Sequence, residues 1–369
     1  MQFPSHGANW EALYKKFGIE QPIKVWDLSE NVNFLGFPHS FHQLWPSLLE
    51  KVSQYPDEAA EPLRSLLGNE HNVSVENVVV GNGASELLMC LGRLYERQKV
   101  LVIHPSFSEY QRTLKQSRVE IVSVVVEDLI TYKLPIEKIK AHMESVSAVY
   151  LCNPNNPTGV VIHKGVIEEL ILHGIATNCD VVIDEAFMDW TDENESVVSL
   201  TKQFANLVVL RSMTKMYALA GIRLGYLVGQ KAQEIQLFLP HWNVNQIAVE
   251  LGIKCLQERE FKEVSKQSII PIREDLKQFL NRNGCIVTES QVNFLSFHLP
   301  KDWDTKSFYF NLIRKGIVLR HTENFKGMEG DWLRIAVKDR QSMEMFKRGF
   351  NQYAKDNHLF STSWRDGME

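Results

Sequence analysis

The stretch that decides the fold reads Leu207-Val208-Val209-Leu210-Arg211-Ser212-Met213-Thr214-Lys215. Its first four residues are all apolar, which predicts a strand buried on both faces of a sheet rather than a strand with one side in water. A serine and a lysine follow where that strand ends. Because ligand sites of open α/β sheets lie at the carboxyl ends of strands, we expect the lysine at the functional edge of a largely parallel sheet.

Similar apolar runs recur along the chain and alternate with amphipathic stretches that are long enough to be helices. The predicted strands are residues 78–80, 100–103, 148–151, 181–183 and 224–228, and the predicted helices include residues 86–98 and 164–178. This alternation predicts the α/β class, with a mostly parallel sheet that helices cover on both faces.

The character of the sequence changes after residue 240. A charged helical stretch at residues 257–281 precedes isolated strand candidates at residues 293–298 and 332–337, which predicts a second, smaller α+β domain. The expected division is an N-terminal arm at residues 1–34 that joins the small domain, a large domain at residues 35–240, and the small domain at residues 241–369.

A lysine after a buried strand has several interpretations, and a solvated loop residue is the simplest. The Ser-x-x-Lys spacing from Ser212 to Lys215 also occurs in serine acyl enzymes, but their Ser-Asp-Asn and Lys-Thr-Gly partners are missing from this sequence. Residues 181–185 end in two acids, as at a nucleotide-binding magnesium site, yet the sequence has no Gly-x-x-x-x-Gly-Lys-Ser/Thr motif. An acyl enzyme and a nucleoside triphosphatase are therefore disfavoured.

Two more motifs follow predicted strands. Residues 81–86 read Gly-Asn-Gly-Ala-Ser-Glu, where Asn-Gly alone would suit a hairpin turn. Glu86 occupies the third glycine position of a dinucleotide fingerprint, so we expect instead a helix N-terminus whose N–H groups at Ala84 and Ser85 receive a phosphate. Residues 153–159 read Asn-Pro-Asn-Asn-Pro-Thr-Gly, which by itself is typical of a turn.

Together with residues 221–226, Gly-Ile-Arg-Leu-Gly-Tyr, these motifs resemble the class I and II aminotransferase superfamily of fold type I. The resemblance covers nearly the whole chain, with the motifs in the expected order. It implies a seven-stranded type of sheet in the large domain and pyridoxal 5′-phosphate as the cofactor. Lys215 would be the covalent anchor, and Asp184 would keep the ring nitrogen protonated so that the ring can accept electrons.

The resemblance also implies the other cofactor contacts. They are Ala84, Ser85, Ser212 and Arg223 with the phosphate, Phe107 stacked on the ring, Asn156 with the phenolic oxygen, and Phe187 where related aminotransferases usually have tyrosine. For Phe107 and Phe187, simple core packing is the alternative. Tyr55 matches a tyrosine that reaches the phosphate of the neighbouring subunit, which implies a homodimer with shared active sites.

Within the superfamily the chain resembles histidinol-phosphate aminotransferases, and more closely threonine-phosphate decarboxylases of cobalamin synthesis. Residues 5–9, 27–33 and 242–245 favour the decarboxylases, as does Phe187. The substrate contacts that this likeness implies are His6, Gly7, Asn31, Arg320 and Arg334. Guanidinium groups suit carboxylate and phosphate, so we expect a pocket for a doubly anionic amino acid.

Two reactions stay open at this point. One is decarboxylation of L-threonine O-3-phosphate to (R)-1-amino-2-propanol phosphate, and the other is transamination of histidinol phosphate or an aromatic amino acid. The same catalytic residues serve both, because the bond that breaks is the Cα bond that stands perpendicular to the cofactor ring.

Composition bears on the remaining classes of partner. Lys and Arg number 40 against 45 Asp and Glu, so the net charge of −5 gives no reason to expect nucleic acid. The five cysteines have neither zinc nor disulfide spacing, and no metal site is predicted. Without a secretory signal or an apolar run of membrane length, we expect a cytoplasmic protein with no membrane partner.

Overall fold

The computed structural model describes residue 3 and residues 7–359 of the 369-residue chain. The helices of this described part are α1 (Trp10–Phe17), α2 (Ser40–Lys51), α3 (Leu63–Glu70), α4 (Ala84–Leu94), α5 (Glu109–Gln116), α6 (Ile136–Met143), α7 (Lys164–Thr177), α8 (Ala232–Gln236), α9 (Gln246–Gln257), α10 (Arg259–Arg282), α11 (Thr305–Arg314) and α12 (Arg340–Asp356). Its strands are β1 (Trp26–Asp27), β2 (Val78–Gly81), β3 (Lys99–His104), β4 (Glu120–Val125), β5 (Ala148–Cys152), β6 (Asp180–Asp184), β7 (Leu207–Ser212), β8 (Gly225–Val228), β9 (Ile286–Val287), β10 (Phe294–His298), β11 (Ile317–Val318), β12 (Arg320–His321) and β13 (Trp332–Ala336).

The larger sheet has seven strands in the order β2-β8-β7-β6-β5-β3-β4. Strand β8 runs antiparallel to both of its neighbours, whereas every pair from β7 through to β4 is parallel. Each apolar run that predicted a strand before residue 240 is a strand of this sheet. The α/β class is confirmed, and the carboxyl ends of β3, β5, β6 and β7 meet at one edge.

The unbroken apolar run in β7 is explained by a core on each side of the sheet. Leu207 and Val209 pack into one core, and Val208 and Leu210 pack into the other. All four side chains are fully buried. Because burying one such side chain is worth about 1.5–3 kcal/mol, a polar residue at any of these positions would be costly.

Strand β4 is the one strand of this sheet that the apolar pattern did not predict. It lies at the sheet edge and is mostly half-buried, with Glu120 exposed and Ser123 interrupting its apolar residues. An edge strand can carry polar residues because one side reaches water. Its sequence signal is therefore weaker than that of the central strands.

A second, antiparallel sheet has the order β12-β13-β10-β9. Near the N-terminus, β1 pairs in parallel with β11, which ties the segment around Asp27 to the small-sheet region. In the antiparallel register, Arg320 lies directly opposite Arg334. Among the described helices, none combines the length and apolar character that a bilayer crossing needs.

Candidate active site

A cavity of about 270 Å³ lies at the carboxyl edge of the large sheet, facing residues of the N-terminal arm and the small sheet. Thirteen of the sequence-predicted site residues line it: Gly7, Asn31, Ala84, Ser85, Phe107, Asn156, Asp184, Phe187, Ser212, Lys215, Arg223, Arg320 and Arg334. His6 lies outside the described residues. The structure therefore brings together groups that are up to 327 positions apart in the sequence.

Lys215 projects from the loop after β7 into this cavity. Burial lowers the pKa of its ammonium group to about 8, and the guanidinium groups of Arg223 and Arg334 lower it in the same direction. A lysine must be a free amine to attack a carbonyl, and a desolvated, cation-lined pocket favours that form. At neutral pH this lysine is far more reactive than an ordinary one.

Asp184 ends β6 and is buried. Its Oδ2 accepts a 2.6 Å hydrogen bond from the Tyr110 hydroxyl, and its Oδ1 accepts a 3.0 Å bond from the Ala186 N–H. Burial raises the pKa of Asp184, while these two donors act in the opposite direction. The carboxylate is thus fixed in position at the cavity wall.

Tyr110 is a residue that sequence reasoning missed. Besides bonding Asp184, its ring makes an edge-on contact with Phe107, with ring centroids 5.9 Å apart. Tyr110 lies three residues after Phe107, in the first turn of α5, whereas Phe107 precedes that helix. That spacing could have drawn attention to Tyr110, although it reads equally well as a core aromatic residue.

The first turn of α4 lies at the cavity wall with Ala84 and Ser85. No side chain caps this helix, so the N–H groups at Ala84 and Ser85 point outward without an intrahelical partner. Arg223 lies beside them and donates a 3.0 Å hydrogen bond to Ser85 Oγ. A Cβ atom on Gly83 would come within 2.7 Å of the Arg223 guanidinium, so only glycine allows this approach. Helix N-termini combined with a cation bind phosphate.

Behind the cavity, a buried ion pair joins the ends of β6 and β7. Arg211 Nη1 donates a 2.9 Å bond to Glu185 Oε2, and both side chains are almost inaccessible to water. These residues directly adjoin Ser212 and Asp184 in the sequence. The pair therefore fixes the spacing of two strands whose ends carry groups of the cavity.

Arg320 and Arg334 are both buried, at 3% and 6% exposure, on adjacent strands. Arg334 donates to Asn156 Oδ1 at 2.6 Å and to the Ser29 carbonyl at 2.7 Å, while its Nε has no partner in the described structure. Burial lowers the pKa of Arg334 to about 9, with Arg320 adding to the effect, and burial lowers that of Arg320 to about 10. Two buried like charges on neighbouring strands favour the binding of an anion between them.

The N-terminal arm forms part of the cavity wall at Gly7 and Ala8. Ala8 N–H donates a 3.1 Å bond to Ser29 Oγ, and a Cβ on Gly7 would lie 2.5 Å from the Ser29 carbonyl oxygen. Asn31 also lines the cavity, and its buried Oδ1 has no partner in the described structure. Gly7 and Ala8 are thus held tightly against Ser29, which follows β1.

Of the last two predicted site residues, Phe187 lines the cavity and Tyr55 does not. Phe187 contributes a ring to the cavity wall and packs edge-on against Phe294, with centroids 4.9 Å apart. Tyr55 is 82% exposed, lies outside the cavity wall of its own chain, and packs on Trp242 with centroids 4.9 Å apart. A role for Tyr55 in a site would therefore have to be in that of another subunit.

The cavity residues fit pyridoxal phosphate. The start of α4 with Arg223 matches its phosphate, Asp184 matches its ring nitrogen, and the amine of Lys215 matches its carbonyl carbon. The unpaired buried atoms Asn31 Oδ1 and Arg334 Nε are what a site built for a polar ligand leaves open. Among the described residues, no group of three or more His, Cys, Asp or Glu side chains could hold a metal ion.

Known proteins similar to this chain include threonine-phosphate decarboxylases and histidinol-phosphate aminotransferases. The family described as aminotransferase class I and II matches residues 50–348. The adenosylcobalamin biosynthesis bifunctional protein CobDQ of Leptospira interrogans is 32% identical over 92% of this chain, which spans only 40% of that protein. The threonine-phosphate decarboxylase of Salmonella typhimurium is 27% identical, covering 90% of this chain and 92% of that protein. A histidinol-phosphate aminotransferase of Caldanaerobacter subterraneus is 34% identical, covering 78% of this chain and 80% of that protein.

Solved structures show the same fold. The histidinol-phosphate aminotransferase from Clostridium acetobutylicum superimposes with a TM-score of 0.84 at 29% identity, covering 89% of this chain and 99% of that chain. The histidinol-phosphate aminotransferase from Sinorhizobium meliloti, in complex with pyridoxal-5′-phosphate, gives a TM-score of 0.82 at 20% identity, covering 94% of each chain.

Proposed function

We propose that this chain, which belongs to the class I and II aminotransferase family of pyridoxal-phosphate enzymes, decarboxylates a phosphorylated amino acid. The substrate is L-threonine O-3-phosphate, and the products are CO2 and (R)-1-amino-2-propanol phosphate, for cobalamin biosynthesis. The similarity to the Leptospira and Salmonella proteins, whose names refer to these steps, supports this choice.

The observation that carries the proposal is the pair of buried guanidinium groups, Arg320 opposite Arg334. L-threonine O-3-phosphate carries a carboxylate and a phosphate a few bonds apart. Because each guanidinium can bind one such anion bidentately, the pair suits a small substrate with two anionic groups. An anion bound there would also offset the repulsion between the two arginines.

The size of the cavity supports a compact substrate. Its volume of about 270 Å³ lies at the small end of ligand pockets, which run from about 300 to 1,000 Å³. Cofactor and substrate must share this space. The ring of Phe187 narrows one wall and that of Phe325 another, so a phosphorylated three- or four-carbon amino acid fits more readily than one with an imidazole or aromatic ring.

The reacting groups follow from the geometry. When bound, pyridoxal phosphate supplies a protonated ring that accepts the electron pair left behind at Cα when CO2 departs. Asp184 would hold the proton on the ring nitrogen, and the α4 N-terminus with Arg223 would hold the phosphate. Lys215 would anchor the cofactor as a neutral amine, and its protonated form would supply the proton that Cα takes up after CO2 leaves. Arg320 and Arg334 would bind the two anionic groups of the substrate and so set which Cα bond breaks.

A second candidate function is transamination of histidinol phosphate. It is favoured by the 34% identity to the Caldanaerobacter aminotransferase, which exceeds the 27% identity to the Salmonella decarboxylase. A direct comparison separates the two. Threonine phosphate alone should release CO2 and amine, whereas histidinol phosphate with 2-oxoglutarate should react at least about a hundredfold more slowly in kcat/KM.

We also propose that the enzyme is a homodimer with shared sites. The exposed ring of Tyr55, which lies away from the cavity of its own chain, supports this arrangement. Its hydroxyl would then bond the cofactor phosphate of the second subunit.

A further inference from the structure

Phe3, near the start of the N-terminal arm, packs against the small-sheet region. Its ring lies 4.3 Å from the ring of His321 and 5.2–5.8 Å from those of Phe17, Tyr309 and Phe310, measured between centroids. The Phe3 N–H also donates a 3.4 Å bond to Glu323 Oε2. Four aromatic neighbours hold the Phe3 ring in a defined position near the start of the arm.

His321 contacts both the Phe3 ring and a residue of the cavity wall, Arg320. It is buried, and its Nε2 lies 2.8 Å from Nη1 of Arg320. A guanidinium N–H can only donate, so Nε2 is the acceptor in this short contact, while the Glu323 N–H lies at the longer distance of 3.3 Å from Nδ1. One face of the imidazole therefore supports Phe3 while its edge holds a guanidinium of the cavity wall.

Arg320 is held from further directions. Its Nη2 donates a 2.7 Å bond to Asn324 Oδ1, and its guanidinium lies 5.1 Å from the centroid of the Phe325 ring. The loop from Thr322 to Asp331 thus takes part in placing the group. Ala8 N–H is also fixed to Ser29 Oγ. The arm is consequently attached both at Phe3 and at Ala8.

We propose that Phe3 and His321 are positioning residues that couple docking of the N-terminal arm to the orientation of Arg320. The proposal rests on the proposed function in taking Arg320 as a ligand of the substrate's anionic groups. When the Phe3 ring packs on His321, it holds the imidazole in the position where Nε2 orients Nη1 of Arg320. When Phe3 is absent, His321 loses its supporting face, and the guanidinium has a wider range of orientations.

Two substitutions separate the parts of this arrangement. His321→Phe keeps an aromatic face for Phe3 but removes the acceptor for Arg320, and Phe3→Ala removes the face but leaves the acceptor. In the holoenzyme, each should raise KM for O-phospho-L-threonine about tenfold and change kcat less than about threefold. His321→Phe loses the hydrogen bond that orients the guanidinium, Phe3→Ala loses the support that holds its acceptor in place, and neither touches the chemistry. His321→Gln keeps an acceptor oxygen and should fall between His321→Phe and the wild type.

A matched control lies elsewhere in the small-sheet region. Phe279 makes edge contacts with Phe346 and Phe350 and, among the described residues, no ring contact with the arm. Phe279→Leu should lower thermal stability as much as Phe3→Ala does, with KM unchanged. If Phe279→Leu raised KM equally, Phe3 would be only a stability residue and the inference would be wrong.

The double variant Phe3→Ala/His321→Phe gives the sharpest result. If both residues act through Arg320, its KM should equal that of the poorer single variant, whereas independent effects would multiply to about a hundredfold. A multiplied effect, or wild-type KM in both single variants, would overturn the inference.

The same variants can be scored if the proposed reaction is wrong. Dissociation constants of O-phospho-L-threonine, histidinol phosphate and inorganic phosphate can be measured from the change in cofactor absorbance, without turnover. Absence of CO2 from the wild type would refute the proposed function alone. Equal dissociation constants for wild type, Phe3→Ala and His321→Phe with every probe that binds would refute the coupling alone.

Discussion

Tyr110 donates a 2.6 Å hydrogen bond to Oδ2 of Asp184, and both side chains are buried beneath the cavity, at 1% and 5% exposure. The hydroxyl stabilises the charged carboxylate and so opposes the burial that raises the pKa of Asp184. In the proposed function a negative Asp184 keeps the cofactor ring protonated, so this bond would support the electron-accepting form of the ring.

Replacing Tyr110 by Phe should therefore weaken both cofactor binding and catalysis. Loss of a hydrogen bond to a buried charged group costs on the order of 1–3 kcal/mol, so cofactor affinity should fall about tenfold. The loss should grow toward lower pH, because the pKa of Asp184 rises further without its donor. Equilibrium dialysis of pyridoxal phosphate at pH 6 and pH 8 measures this.

Tyr150→Phe is the matched control. The Tyr150 ring packs against Tyr110 at 5.9 Å, but its buried hydroxyl has no partner in the described structure. Removing that hydroxyl should leave cofactor affinity unchanged at both pH values. Equal losses in the two variants would contradict a specific role for the Tyr110–Asp184 bond.

The pH dependence of cofactor attachment should report the environment of Lys215. Its pKa is lowered to about 8 by burial and by Arg223 and Arg334, so the reactive amine appears as pH rises through about 8. Adding pyridoxal phosphate to the apoenzyme should give a rate of visible-band formation with a midpoint there. Arg334→Gln removes a repelling charge, so the ammonium form persists to higher pH and the midpoint should move upward. The exposed Arg314, changed to Gln, should leave it in place; a wild-type midpoint near 10 would refute this view of the pocket.

Both cavity arginines should be needed for the anionic substrate. Arg320→Ala and Arg334→Ala should each lower kcat/KM for threonine phosphate at least about tenfold, because an unpaired substrate anion costs on the order of 2–5 kcal/mol. Unphosphorylated threonine should lose much less from one of the two substitutions, which would identify the arginine that binds phosphate. Arg314→Ala, on the outer side of α11, should have no effect on either substrate.

The shared-site proposal can be tested by mixing inactive subunits. Tyr55→Ala and Lys215→Ala proteins should each have little activity, and a mixture that exchanges subunits should regain up to about a quarter of the wild-type activity per site. That recovery requires hybrid dimers with one intact site. A fully active monomer at low protein concentration would contradict it.

Much of the fold could be predicted because strands buried on both faces must be apolar throughout, as in Leu207–Ser212. The apolar pattern did not predict the edge strand Glu120–Val125, because one side of that strand meets water. Lys215 and Asp184 could be found from motifs at strand ends. Tyr110 could be found only through its spacing from Phe107, and the Arg211–Glu185 pair could not be found, since a buried ion pair has no local pattern and its two residues lie 26 positions apart.

The sequence also could not predict that Arg320 lies directly opposite Arg334. Fourteen positions separate them, and only the antiparallel register of β12 and β13 puts them face to face. The contact from Phe3 to His321 spans almost the entire chain, so sequence spacing carries no sign of it. Assignments of roles to the cavity residues remain predictions that the variants above address.

The central claim is that the Cα–carboxylate bond breaks, and one labelling experiment tests it directly. L-threonine O-3-phosphate labelled with 13C in its carboxyl group is incubated with the holoenzyme in D2O, with 2-oxoglutarate also present. The account predicts one 13CO2 per substrate consumed, with one deuterium on the amine-bearing carbon of 1-amino-2-propanol phosphate and no glutamate. Stoichiometric glutamate with the label retained in a 2-oxo acid would contradict it, because the Cα–H bond would then be the one that the site aligns for cleavage.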